Sequence, residues 1–157
     1  MSTKNNSKAI TIITILFSIL LVGSLAFSVT MFVTGKRGVR RSFIFSSAET
    51  GVVNVENRYV PSNPNKDEIS YYVEELLLGP QNERSKMLFT SGTKALSCIT
   101  KNDVLYINLS SDLLKIGVNV MDIKDGIDLL KTNVLRNFKQ ISKVEIFVDG
   151  NSAYENF

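Results

Sequence analysis

The chain has 157 residues, 44% hydrophobic and 21% charged, with a formal net charge of +3 and no histidine. The charge is unevenly placed: six of the 18 Lys and Arg lie in the first 41 residues, which hold no acid, so residues 42–157 carry twelve cations against fifteen anions, a net of −3. The basic character is therefore not a nucleic-acid footprint on the folded part. The missing histidine removes the usual general base and the commonest metal ligand, and the single cysteine, Cys98, excludes an internal disulfide.

Residues 1–8 form a polar tail with Lys4 and Lys8 and are read as cytoplasmic. Residues 9–33, AITIITILFSILLVGSLAFSVTMFV, carry no charge and no proline. As a helix, these residues reach roughly 37 Å, enough to cross a hydrocarbon core of about 30 Å with some tilt. The tail resembles the basic start of an export signal, and Ser24-Leu25-Ala26 offers a small-x-small cleavage site. The apolar run continues seven residues past Ala26, which suits a retained signal anchor better than a cleaved signal. Residues 34–42 read as a basic juxtamembrane linker, and Lys36, Arg37, Arg40 and Arg41 outnumber the two cations before the span. Taken alone, that bias places the following domain in the cytoplasm, against the direction of the signal-like start.

Residues 43–157 have room for one domain. Phe43-Ile44-Phe45 and the alternating Val53, Val55 of residues 52–60 read as two strands about a turn at Ala48–Gly51. Breakers follow at residues 61–65, with Asn63 or Asn65 expected to cap a helix whose apolar face is Ile69, Tyr72, Val73, Leu76 and Leu77. Gly79-Pro80 ends that helix. Met87-Leu88-Phe89 tucks onto the core from an otherwise polar loop. Strands over 94–101 and 104–109 meet at a tight Asn102-Asp103 turn. A second helix carries Ile123, Ile127, Leu130, Val134 and Phe138 on one face, and residues 143–148 form a last strand ended by Asp149-Gly150. The order is ββαββαβ. It predicts an α+β fold with two helices on one face of a mostly antiparallel sheet of about five strands.

Leu76-Leu77-Leu78-Gly79-Pro80, Gly92-Thr93-Lys94, Tyr106-Ile107-Asn108-Leu109-Ser110, and Phe138 followed by Ile141, Val144 and Val148-Asp149-Gly150 occur in an order that resembles the GerMN domain of sporulation and spore-germination proteins. The resemblance covers the soluble part, about 43–150. It implies an extracytoplasmic α+β domain, related in shape to the ring-building modules of envelope channels, that assembles or binds and has no established catalysis. The motif residues Leu77, Gly79, Pro80, Gly92, Thr93, Asn108, Ser110, Asp149 and Gly150 also read plainly as caps and turns.

No catalytic, metal or cofactor constellation emerges from the sequence. Cys98 sits within an apolar strand as a small core residue, and Asp122, Asp125 and Asp128 drift around a helix as a solvated face. The expectation is a non-enzymatic, single-pass protein of the cytoplasmic membrane whose C-terminal domain faces the periplasmic side. There it would bind another envelope protein, cell-wall polymer or a second copy of itself. The alternatives are a cytoplasm-facing membrane adaptor and a domain secreted after signal cleavage. Strand alternation turns Leu105, Ile107, Leu109, Val144, Ile146 and Val148 toward the helices and sends Tyr106 and Phe147 to the opposite face, where they are the candidate partner-binding residues.

Overall fold

The computed structural model describes residues 3–34, 38–61, 67–115 and 117–153. The chain divides into two compact units, 1–37 and 38–157. The first holds helix α1 (Thr3–Thr34), which starts in the polar tail, ahead of the apolar run. Its stretch Ile12–Phe32, with a mean hydropathy of 2.5, is long and apolar enough to cross a membrane. Hydroxyls in that stretch bond within the helix, Thr14 to the Ile10 carbonyl, Ser18 to that of Thr14 and Thr30 to that of Ala26. They present no unmet donor to an apolar surrounding.

The second unit runs β1 (Val39–Ser46), β2 (Val53–Val60), α2 (Glu68–Leu77), β3 (Ala95–Lys101), β4 (Val104–Leu109), a single 3₁₀ turn (Ser111–Leu114), α3 (Ile123–Asn137), β5 (Lys143–Val148) and β6 (Asn151–Ser152). The α+β class and the element order hold, with the two-residue β6 added. The single sheet of about five strands is corrected to two sheets, the antiparallel hairpin β1–β2 and a four-stranded sheet in the order β3-β4-β5-β6. Within the larger sheet β4 and β5 run parallel, because α3 makes the crossover between them. The expected linker also shortens: β1 begins at Val39, so Arg40 and Arg41 belong to the strand. The cap of α2 is Asp67, whose carboxylate accepts from the Ser70 N–H at 3.4 Å; Asn63 and Asn65, the expected caps, lie outside the described residues.

Two sheets form because the outer edge of β1 is already occupied by helix α3. Phe43 and Phe45 face Glu56 and Asn54 across the hairpin, while Ser42 and Ile44 present their amide groups the other way. The Asn133 carboxamide takes both groups of Ile44, accepting from its N–H at 2.7 Å and donating to its carbonyl at 2.9 Å. One turn later Asn137 repeats the pattern on Ser42, at 3.0 and 2.7 Å. Residues four apart on a helix point the same way, roughly one turn of 5.4 Å from each other, and alternate strand residues are separated by about 6.6 Å. Two asparagines thus stand in for a neighbouring strand. The Tyr72 phenol joins them, accepting from Asn137 Nδ2 and lying within 2.8 Å of the Ser42 carbonyl; burial pushes its pKa up.

Tyr72 is also the centre of the core. Its ring stacks on Phe43 at 4.6 Å and meets Phe138 edge-on at 5.3 Å, contacts worth about 0.5–1.5 kcal/mol each beyond area burial. Around it one cluster unites Leu76 of α2, Leu130 and Val134 of α3, Leu105 and Ile107 of β4, Ile146 of β5, and Leu88 and Phe89 of the loop. That loop presses on α3 at Gly126, where a Cβ would lie 2.5 Å from the Leu88 carbonyl oxygen. A glycine inside a helix costs up to about 1 kcal/mol against alanine; at Gly126, in the first turn of α3, it is the condition for the crossing.

On the hairpin's inner face Arg41 and Arg58 stand opposite each other, an arrangement that repels unless each charge is answered. Arg41 Nε donates to Glu68 at 3.0 Å. The nearly buried Arg58 lies over the Phe43 ring, pairs with Glu56, and donates to the Gly79 carbonyl at 2.8 Å at the end of α2. Burial works to raise the Glu56 pKa, but Arg58 and the N–H groups of Gln81 and Asn82 outweigh it and hold the carboxyl below its usual range.

Asn133→Leu keeps the volume but strands the Ile44 N–H and carbonyl, and should cost about 3 kcal/mol, read as a shifted denaturant midpoint by near-UV tyrosine dichroism. Glu56 has a depressed folded pKa, so its contribution is present above its unfolded value and lost as pH falls through the folded one. Denaturation of the parent and Glu56→Gln should therefore differ at pH 7 and converge only as the pH falls through the depressed folded pKa, below the ordinary glutamate range. A gap that stays constant would assign the stabilisation to shape alone.

Candidate functional site

The face of the β3–β6 sheet turned away from the helices is the candidate site. Its rows follow from the register. Ile99, Tyr106 and Glu145 lie side by side; Ser97, Asn108 and Phe147 form the next row; Lys101, Val104 and Lys143 form the one before. Partners in adjacent strands face the same way, so Tyr106 and Phe147 are diagonal neighbours, their ring centroids 6.4 Å apart and tilted by 36°. Tyr106 is 36% exposed and Phe147 half-buried. The opposite face is the core: Leu105, Ile107, Leu109, Val144 and Ile146 are buried and Val148 is half-buried.

Two apolar residues extend the patch beyond the expected pair. Ile99, directly across from Tyr106, is 60% exposed, and period-two alternation from Ser97 already points to it. Leu96 is exposed as well, for a reason the sequence conceals. The register shifts between Ala95 and Ser97, so Leu96 is the extra residue of a bulge; before it odd positions face the core, after it even ones do. At the rim Lys143 and Glu145 pair at 2.6 Å, and the glutamate raises the Lys143 pKa.

The motif residues occupy separate structural posts. Gly79 (φ 92°) ends α2 ahead of Pro80, and Leu77 packs half-buried on the core. Gly92 takes φ 97°, and the Thr93 hydroxyl donates to the Thr90 carbonyl at 2.7 Å. Leu77 and Thr93 also line a groove of about 360 Å³ between the end of α2 and the start of β3, with Glu74, Glu75 and Lys94 around it. Ser110 accepts from the Lys94 N–H at 3.1 Å and donates to Asp112. Asn108 reaches the Asp149-Gly150 turn, its Oδ1 accepting from the Gly150 N–H at 2.9 Å. Both turn residues have positive φ, 46° and 85°, and the turn folds β6 back on β5. The structure thus brings together Asn108, Asp149 and Gly150, and separately Tyr106 and Phe147. Among the described residues no group of three metal-ligating side chains converges.

Architecture and site together define an α+β domain with a helix-backed sheet, one face of which is open. A family model described as Germane, Sporulation and spore germination, matches residues 42–154, and the chain belongs to that family. The first GerMN domain of the sporulation protein GerM from Bacillus subtilis superposes with a TM-score of 0.58 at 15% identity, over 73% of this chain and 85% of that domain. The tandem GerMN domains of the same protein match with a TM-score of 0.59 at 16% identity, over 73% of this chain and 40% of the pair. At those identities the likeness is one of fold. An uncharacterized lipoprotein of Treponema pallidum is 30% identical over 84 residues, which is 54% of this chain and 63% of that protein.

With Tyr106 and Phe147 lying outside the core, Tyr106→Ser with Phe147→Ser should cost less than about 2 kcal/mol, against about 4 kcal/mol for Tyr72→Ser. Thermal unfolding of both variants checks this. Equal losses would place the two rings in the core.

Proposed function

We propose that this protein is a membrane-anchored, non-enzymatic envelope domain that uses the open sheet face to hold another envelope component. The observation that carries the reading is the cluster of exposed Ile99, exposed Tyr106 and half-buried Phe147 on a sheet whose other face packs on the core. Aromatic residues set among polar neighbours are the composition that anchors interfaces, and Ser97, Asn108, Lys143 and Glu145 supply the polar surround. A protein partner or a second copy fits this apolar centre better than a cell-wall polymer does. The motif residues from Leu77 to Gly150 serve as scaffold in this reading, and no described residue is assigned a catalytic, metal-binding or cofactor role.

In the same proposal residues 1–8 stay in the cytoplasm, 9–33 span the membrane uncleaved, and the domain lies on the outer, periplasmic side. The apolar α1 and the signal-like tail support it, and the Treponema relative is described as a lipoprotein, which supports attachment to a membrane. A cytoplasm-facing adaptor is the second reading, favoured by the four cations after the span against two before it.

Protease added to intact spheroplasts should degrade the domain; protection, while an external marker is cut, would establish the adaptor. Mass spectrometry of the N-terminus should find the anchor retained, and a start at Phe27 would mean a secreted domain. A photo-reactive side chain at Ile99 should cross-link a partner or a second copy in vivo, and Tyr106→Ser with Phe147→Ser should abolish that product while the domain stays folded. A cross-link indifferent to the double variant would move the docking surface elsewhere.

A further inference from the structure

The outermost rung of the hairpin is built unlike the rest of the domain. Strand β1 starts with Val39 opposite Val60 and Arg40 opposite Tyr59. Arg41 and Arg58, one position further in, are both answered by carboxylates. Arg40 is exposed and makes no ion pair among the described residues. Tyr59, its neighbour on the same face, is 74% exposed, and Val39 beside them is exposed too. A free cation and a protruding phenol therefore share one end of the hairpin, in a domain whose overall charge is negative.

The chain enters the hairpin at that end, and it enters tightly. A Cβ on Gly38 would lie 2.7 Å from the Val60 carbonyl oxygen and 3.0 Å from its carbon, so only glycine lets the backbone run against Val60. Helix α1 ends at Thr34. Four Cα steps separate Thr34 from Gly38, and at 3.8 Å each they span at most about 15 Å. Headgroups add roughly 5–8 Å beyond the hydrocarbon on each side of a bilayer. A rung tethered this closely to a membrane helix is within reach of them.

We propose that the rung of Arg40 and Tyr59 is a lipid contact, which seats the domain on the anionic headgroups of the membrane that holds α1. Tyrosine is enriched at the membrane–water boundary, where its ring lies among headgroups and its hydroxyl stays wet. Arginine beside it is drawn to anionic lipid. A flank that served only to stop transfer needs charge in linear sequence; it does not need a cation and an aromatic side by side on a strand. The net negative domain would otherwise be repelled by such a surface, so an uncompensated positive end decides which part approaches it. This inference rests on the reading of α1 as a membrane anchor.

The chain has no tryptophan, so Tyr59→Trp in the full-length protein gives a single reporter. The protein is reconstituted in phosphatidylcholine vesicles with and without phosphatidylglycerol, doped with an interfacial nitroxide lipid. Trp at 59 should be blue-shifted in the phosphatidylglycerol vesicles and quenched about fivefold more than in phosphatidylcholine alone. High salt or an added Arg40→Glu should reverse both effects, and Arg40→Lys should preserve them. Val53→Trp, on the same hairpin face but at its far end, should remain solvent-like throughout. A Trp at 59 as solvent-like as that at 53, or quenched equally in both lipids, overturns the proposal. Flotation of the same samples separates the two readings: protein that fails to float with vesicles refutes the anchor and the contact with it, whereas protein that floats with a silent Trp at 59 refutes the contact alone.

Discussion

The hydrogen bonding of β1 to the side chains of Asn133 and Asn137 is the constraint on which this domain is arranged. A strand edge must find partners for its amide groups or stay in water, and the edge bearing Ser42 and Ile44 lies against a helix. Backbone cannot pair with the side of a helix, whose own amides are spent internally. Two carboxamides one turn apart solve the problem, because each offers a donor and an acceptor in the same plane as a peptide group. The arrangement fixes α3 to the hairpin in register, and Tyr72 ties α2 to the same point. It also explains why the hairpin stays out of the larger sheet: one edge of β1 belongs to β2 and the other to α3.

The second consequence falls on charge. Holding the hairpin on the helices turns Arg41 and Arg58 inward, where two guanidinium groups stack over Phe138 and Phe43. Neither is left as a bare buried cation. Glu68 and Glu56 answer them, and the remaining donors reach carbonyl groups at the ends of the two helices, Asn137 for Arg41 and Gly79 for Arg58. A cation at a helix C-terminus is favoured by the dipole as well as by the unmet carbonyls. The ion pairs thus stabilise helix ends that short loops leave open, and they place the hairpin, helices and loop at residues 81–82 in one electrostatic unit.

With the helices and hairpin committed to one side, the four-stranded sheet has nothing among the described residues to bury its other side. The usual outcome is a polar face, and most of this one is polar. Ile99, Tyr106 and Phe147 depart from that rule at its centre, and the β3 bulge adds Leu96 at its edge. The hairpin's outer rung departs from it again with Tyr59. Both exceptions lie on surface that the core does not need, which is why their chemistry can serve contact with something outside the domain.

Much of this was legible in the sequence. The helices showed in the spacing of Ile69, Tyr72, Val73 and Leu76 and of Ile127, Leu130 and Val134, since burial of one helix face writes a period of three to four. The hairpin turn at Asn102-Asp103 showed because two positive φ angles demand such residues, and period-two alternation in β4 and β5 was enough to send Tyr106 and Phe147 to one face. Other features were settled only when distant segments met. Asn133 and Asn137 take no part in the apolar spacing of α3, and their role arises only because β1, about ninety residues away in sequence, lies beside them. That Asp67 caps α2 depends on where the first turn begins, which packing decides. The bulge at Leu96 leaves the composition of β3 unchanged, and the parallel pairing of β4 with β5 depends on the path of α3. Local periodicity records which face a segment buries; which segments share that burial, and whose polar edges they must satisfy, is a property of the assembled fold.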